Sequence, residues 1–306
     1  MFSLPLKETL SRQLDRLVLV VISRGTPDQY DQKDVKTRPL EEIVAQTTIN
    51  RRKTNLFNLV APGEHAVWLE TPLGEIQCHV RVRLGILPQV PLLLYHHGLV
   101  EVPYTRTWYK ILPKQTAFPA HLVAVQAPYH QRFNEPLGIG FSSADHIYQM
   151  FAGSLRIYEL MQEQFAESGA AYTVTSGFSW GGITSLLYEA LFARARATVP
   201  MFASPNLAQV MVDGANLSGR SLPAARAVID EYFDFRPVYE QCDTQRIFPV
   251  LAKDDLFFRF EKHAAIYPAD NLQTMQGTHV GATWSKGQEL RHHLLHILRW
   301  ADKHPR

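Results

Sequence analysis

A serine hydroxyl turns nucleophilic only where the chain presents it bare and a base stands within reach. The run Gly177-Phe178-Ser179-Trp180-Gly181-Gly182 has the composition to present one. Before it, Tyr172 to Thr175 are aromatic and β-branched, as a strand favours, and after it Ile183 to Phe192 carries leucines at helical spacing. Ser179 therefore stands where a strand turns sharply into a helix. Such a turn needs small residues two before and two after the serine, because strand and helix nearly touch, and Gly177 and Gly181 occupy those places. The structural alternative is a plain helix N-cap, a position serine also favours.

A serine at neutral pH needs a general base and a group that orients the base. Two downstream loops supply them. Ala252-Lys253-Asp254-Asp255 follows the apolar run Ile247 to Leu251, and Gln276-Gly277-Thr278-His279-Val280-Gly281 follows Leu272 to Met275. The order serine, acid, histidine casts Ser179 as nucleophile and His279 as general base and acid, with Asp254 and Asp255 competing to be the orienting carboxylate. Either aspartate also suits the cap of a helix expected over Leu256 to Ala265. An attacked carbonyl further requires two amide donors for its oxyanion. The amide of Trp180 is one; the loop His96-His97-Gly98-Leu99 offers the second, Leu99 first and Gly98 as runner-up. His96 and His97 either shape that loop or are structural, one under the sheet and the other facing water.

The elements that must hold these groups alternate along the chain. Leu4 to Ser23 and Arg38 to Thr48 carry apolar residues at helical spacing, joined by the polar stretch Gly25 to Lys36, and predict a helical extension over residues 1–58. Ala66 to Glu70 and Ile76 to Val82 flank Pro72-Leu73-Gly74 and predict an antiparallel hairpin. Pro91 to Tyr95 and His121 to Val125 are continuous apolar runs, as parallel strands covered on both faces require. A helix-length stretch around Trp108 to Pro113 lies between them. A helix over about Asp145 to Phe165, the strand into Ser179, its helix, and a strand near Thr198 to Ala203 continue the rhythm. Residues 206–246 break it with helical pieces around Val210 and Ala224 to Tyr232, read as an insertion capping the site. A last amphipathic helix is expected over Trp284 to Ala301. Strand–helix alternation implies right-handed crossovers and a doubly wound sheet, with ligands at the carboxyl ends of its strands.

Composition narrows the function classes. The chain has 306 residues, 46% of them hydrophobic, enough for one large α/β domain spanning residues 1–306. With 31 basic and 29 acidic residues the net charge is +2 and no long basic run occurs, so a nucleic-acid partner is not expected. The two cysteines, Cys78 and Cys242, form no disulfide framework and suit a reducing, cytoplasmic setting. Leu17 to Ile22 is short and follows the acidic Asp15, so neither export signal nor membrane insertion is read there. His292 and His296 share a helix face, but no third ligand or glutamate motif accompanies them, and no metal is expected. Gly138-Ile139-Gly140 lacks the setting of a dinucleotide site. His130 and Arg132 follow a strand end and suit substrate contact or loop bonding equally. Trp180, Met211, Phe233 and Phe235 are candidates to line an apolar acyl pocket.

The Gly-x-Ser-x-Gly-Gly turn, the His-Gly loop, and the acid and histidine after the last two strands resemble the α/β-hydrolase superfamily from about Val60 to the C-terminus. The chain is also similar to the abhydrolase-domain-containing proteins, which have a helical N-terminal extension and a Pro-Tyr segment after the fourth strand; Ala127-Pro128-Tyr129-His130-Gln131-Arg132 stands there. Two features depart from the superfamily pattern: Ala252 replaces the usual glycine, and two aspartates compete. Family acids usually sit three residues after that position, which favours Asp255. The resemblance implies a cofactor-independent serine hydrolase acting on a small-molecule carboxylic ester or thioester. The alternatives are amide cleavage or lyase chemistry on the same triad, or a non-catalytic binding module of this fold.

Overall fold

The protein is described by a computed structural model that covers residues 4–26 and 38–305, with side chains from residue 10 onward. The polar stretch Gly25 to Lys36 lies, from residue 27, outside the described residues. The chain opens with α1 (Leu4–Gly25) and α2 (Leu40–Gln46), then β1 (Thr48–Ile49), β2 (Gly63–Thr71) and β3 (Gly74–Arg83). Next come β4 (Leu92–His96), α3 (Arg106–Ile111), β5 (His121–Val125), α4 (Ala144–Glu167), β6 (Thr173–Phe178), α5 (Trp180–Phe192) and β7 (Ala197–Met201). Helices α6 (Leu207–Ser218), α7 (Arg226–Phe233) and α8 (Arg236–Tyr239) precede β8 (Val250–Ala252), α9 (Phe260–His263), β9 (Gln273–Met275), α10 (His279–Ser285) and α11 (Gly287–Lys303).

Among the described residues nine strands form one sheet in the order β1-β2-β3-β5-β4-β6-β7-β8-β9. From β5 to β9 every pairing is parallel, while β1, β2 and β3 join the β5 edge antiparallel. The predicted hairpin is β2–β3. Residues 1–58 are not wholly helical, because Thr48 and Ile49 pair with Leu69 and Glu70 and extend the sheet. Side chains alternate between two cores, as period-two geometry demands. Leu92 and Leu94 enter one core and Leu93 and Tyr95 the other; Val123 and Val125 oppose Leu122 and Ala124 in the same way. Helices α4 and α5 cover the first core, and α3 and α11 the second. This two-sided burial is why both strands read as unbroken apolar runs.

Two expected helices differ. The helix expected over Leu256 to Ala265 shrinks to α9, because one oxygen of Asp255 accepts the amides of Phe257 (2.7 Å) and Phe258 (2.9 Å) and holds a tight turn there. The expected final helix is two helices: α10 begins at His279, five residues before Trp284, and α11 follows a break at Lys286. Among the described residues no helix is long and apolar enough to cross a membrane.

Candidate functional site

The carboxyl ends of β4 and β6 meet at Ser179, whose backbone adopts φ 55° and ψ −115°. That region is sparsely populated for a residue with a side chain and costs on the order of 1–3 kcal/mol, so its surroundings must enforce it. They do. Ser179 donates its amide to Met201 O of β7 at 2.8 Å, and its carbonyl accepts Gly182 N at 2.8 Å as α5 starts. A Cβ on Gly177 would lie 2.2 Å from the carbonyl of Gly181, and one on Gly181 would lie 2.2 Å from His96 O. Both contacts are with main chain, so no side chain can move aside. The hydroxyl of Ser179 makes no capping bond to α5, and no hydrogen bond to any described residue. Ser179 thus occupies the N-cap position of α5 without capping it through its side chain.

His279 stands at the start of α10, 4% exposed, with Nδ1 donating to Asp255 Oδ2 at 2.7 Å. Its ring stacks on Phe257 with centroids 4.4 Å apart and meets Phe178 at 5.1 Å. Burial opposes the imidazolium, but the Asp255 carboxylate, its hydrogen bond and the charge of Asp15 outweigh it, and His279 is raised above its ordinary value. Asp255 is also buried, and the oxygen not bonded to His279 takes the amides of Phe257 and Phe258. Asp254 turns elsewhere, to an ion pair with Arg12 of α1. Ser179 and His279 line one cavity of about 470 Å³ and are not hydrogen-bonded to each other; such contacts commonly tighten only when substrate binds.

Leu99 and Trp180 line the same cavity, and the amide of neither has a partner among the described residues. Gly98 N is already committed to Glu101 Oε2 at 3.2 Å. A Cβ on Gly98 would come within 3.1 Å of the Phe178 ring and 3.6 Å of Ser179 Cβ, so glycine lets this loop lie against the serine. Glu101, buried, also accepts the amide and hydroxyl of Thr107, and burial raises its carboxyl to about 7 despite those bonds. Neither His96 nor His97 faces water, contrary to expectation; both are fully buried. His97 Nε2 accepts Ala127 N at 2.9 Å, so its Nδ1 carries the proton given to Gly98 O at 2.7 Å. His96 bonds Ser154 and His97 O, and burial lowers it to about 3. Both rings stay neutral and brace the loop.

Of the pocket candidates, Trp180 and Met211 line the cavity, whereas Phe233 and Phe235 pack with Tyr148 in the core. His130 is buried, donating from Nδ1 to Pro128 O at 2.8 Å, and Arg132 is exposed; neither lines the cavity. His293 leans toward Phe248 O, and among the described residues no three His, Cys, Asp or Glu side chains are grouped to hold a metal. Much of the cavity wall comes from α1 (Leu17, Val18, Ile22) and α6 (Leu207, Val210, Met211), from outside the sheet's strand–helix alternation.

Three polar groups escaped the sequence reading. Asp15 of α1 is fully buried and accepts His279 N and Val280 N. Glu101 ties down the loop at Gly98, and Ser204 bonds His263, a buried ring that burial lowers to about 4. Asp15 left a trace in the sequence: it shares a helical face with Leu19 and Ile22, where an acid is out of place unless something binds it.

No family model matches the chain, and no curated protein matches it. Solved structures do. It is similar to an acetyl xylan esterase from Paenibacillus sp. R4 at 13% identity and TM-score 0.53, over 93% of this chain and 98% of that one. It is similar to a highly thermostable carboxyl esterase from Bacillus coagulans at 10% identity and TM-score 0.52, over 77% and 99%. Est1E from Butyrivibrio proteoclasticus matches at 13% identity and TM-score 0.51, over 76% and 99%. The fold these chains share is the α/β-hydrolase fold.

Proposed function

We propose that the chain is a serine hydrolase that cleaves a carboxylic ester or thioester with an apolar acyl group, through an acyl-enzyme. The observation that carries this reading is a serine on a strained turn, its hydroxyl uncommitted, sharing one cavity with a histidine whose far nitrogen is bound by a buried carboxylate. With Nδ1–H given to Asp255, the lone pair lies on Nε2, the nitrogen left for the cavity. Ser179 Oγ attacks the acyl carbon as Nε2 takes its proton. The tetrahedral oxyanion is received by the uncommitted amides of Leu99 and Trp180. His279 then protonates the departing alcohol or thiol, the acyl group stays on Ser179, and the same nitrogen activates water to release the acid.

The volume, about 470 Å³, lies within the range of small-molecule sites, and the leucine, valine and methionine walls of α1 and α6 suit an acyl chain. The esterase names of the structures it resembles agree with this chemistry. A fluorophosphonate probe, which phosphonylates an activated serine, tests the reading. Labelling of the wild type and not of Ser179→Ala is expected, with turnover of p-nitrophenyl esters lost about a thousandfold or more in Ser179→Ala and His279→Ala. Labelling of neither protein would leave a binding module on this fold.

A further inference from the structure

Asp15 does no chemistry in the steps above, yet it reaches the base from the opposite end of the chain. Its Oδ2 accepts His279 N and its Oδ1 accepts Val280 N, both at 2.8 Å. The first amides of a helix have no partner within it. At the start of α10 Thr278 takes Gly281 N at 3.2 Å, and Asp15 takes the two that remain. A neutral side chain can fill such a role, so the charge itself needs a reason: a buried carboxylate is costly unless opposite charge meets it. Among the described residues the charged groups acting on the His279 imidazole are Asp255 and Asp15, while the rings of Phe178, Phe202, Phe257 and Phe258 lie against it. Burial holds the Asp15 carboxyl above its ordinary value, and its interaction with His279 leads the effects that oppose that rise.

We propose that Asp15 is a positioning residue of this site: from α1 it fixes the main chain of His279 and sets a second carboxylate beside the imidazolium that forms when Ser179 gives up its proton. The same helix builds a wall of the cavity through Leu17, Val18 and Ile22 and pairs Arg12 with Asp254 beside the triad acid. Docking of α1 thus completes substrate wall and base together. The catalytic consequence rests on the serine-hydrolase reading; the electrostatic consequence does not.

The test reads His279 directly. Nitrogen-15 NMR titration of the full chain gives the imidazole midpoint in the wild type and in Asp15→Asn, which keeps size and one acceptor oxygen but loses the charge. A lower midpoint in Asp15→Asn is expected, and equal midpoints overturn the proposal. In ester hydrolysis kcat should fall roughly 10- to 100-fold from the misplaced base. KM should hold, since Asp15 does not line the cavity, and the acid limb should move the same way as the midpoint. A lower Tm with kcat and midpoint unchanged would mean a mere structural cap and would overturn it. Should Asp15→Asn not fold, the wild type suffices: interaction between titrating sites is mutual, so the carbon-13 carboxyl signal of Asp15 should inflect where His279 titrates, and its absence overturns the proposal. A wild type inert to both esters and fluorophosphonate sinks the hydrolase reading and leaves the titrations to decide on Asp15.

Discussion

Replacing Asp255 by asparagine should disable the site while leaving the fold intact, and the geometry says why. One carboxylate oxygen is held by two donors, the amides of Phe257 and Phe258 at 2.7 and 2.9 Å, and the other receives His279 Nδ1–H at 2.7 Å. In Asp255→Asn only the amide oxygen can serve the two main-chain donors, so the NH₂ falls opposite Nδ1. Two donors then face each other, and the imidazole must move its proton to Nε2 to accept there. That is the nitrogen required to take the serine proton, so the base is lost with its tautomer. A wrong-tautomer triad loses about 10⁴-fold in kcat, or about 5.5 kcal/mol of barrier. Asp255→Ala would confuse the reading, because stripping one partner from a buried pair costs about 3–5 kcal/mol of stability. Asp254→Asn is the matched control. Its ion pair with Arg12 is partly exposed and worth at most about 1 kcal/mol, so activity should stay within about fivefold. The assay is kcat on p-nitrophenyl butyrate beside thermal unfolding of each variant. Activity of Asp255→Asn within about tenfold of wild type, or Asp254→Asn proving the more damaging with its fold intact, would refute the assignment.

Because the carboxylates overcome burial and raise His279, kcat/KM should climb with pH through a midpoint above the ordinary value of about 6.5. The same group stabilises the fold fully below that ordinary value and loses this contribution as pH rises through its folded value. The stability advantage of wild type over His279→Asn should therefore shrink as pH rises above about 6.5 in urea titrations. Gly181→Ala should cost at least the about 1–3 kcal/mol of ordinary overpacking and abolish labelling of Ser179, since its Cβ would sit 2.2 Å from His96 O. A stable, labelled Gly181→Ala would contradict the close strand–helix approach. Met211→Trp should shift preference toward short acyl chains, with the decanoate-to-butyrate ratio of kcat/KM falling about tenfold. An unchanged ratio would place the acyl chain elsewhere.

What could be read in the linear chain was whatever depends on local pattern. Leu92 to His96 and His121 to Val125 sit between two cores, so every residue is apolar or satisfied, and the run announces a covered parallel strand. Gly177 is forced by the main chain of Gly181 four residues on, and Gly181 by the distant His96 carbonyl, yet their spacing about Ser179 is a local pattern that marked the serine in sequence. The helix expected after Asp255 failed because a single side-chain oxygen outcompeted helical bonding for the Phe257 and Phe258 amides. The start of the last helical segment was missed for a related reason. The amides that open α10 are satisfied by Thr278 and by Asp15, which lies 264 residues away from His279.

Asp15 also shows how one residue can argue against a reading without revealing its own. Within Leu14 to Ile22 it is the buried charge, set on an apolar face while Arg16 is exposed, and in sequence it served only to argue against an export signal or membrane segment. Burial of that face against α6 and α10 gives the interruption its meaning, because an acid kept from water must be met by donors, and the donors here are the amides of His279 and Val280. Helix α1 is thus bound to the site through a contact that apolar packing alone would not require. If so, weakening α1 docking through its apolar side should mimic the loss of the carboxylate. Leu19→Ala, which removes a residue 2% exposed, should cost about 2–5 kcal/mol and lower kcat in conditions where the remaining fold is intact. Helix docking and turnover should then fall together across a urea series too mild to unfold the sheet, followed by proteolysis of α1 beside p-nitrophenyl butyrate hydrolysis. Turnover that persists after α1 has been cleaved away would separate the helix from the chemistry.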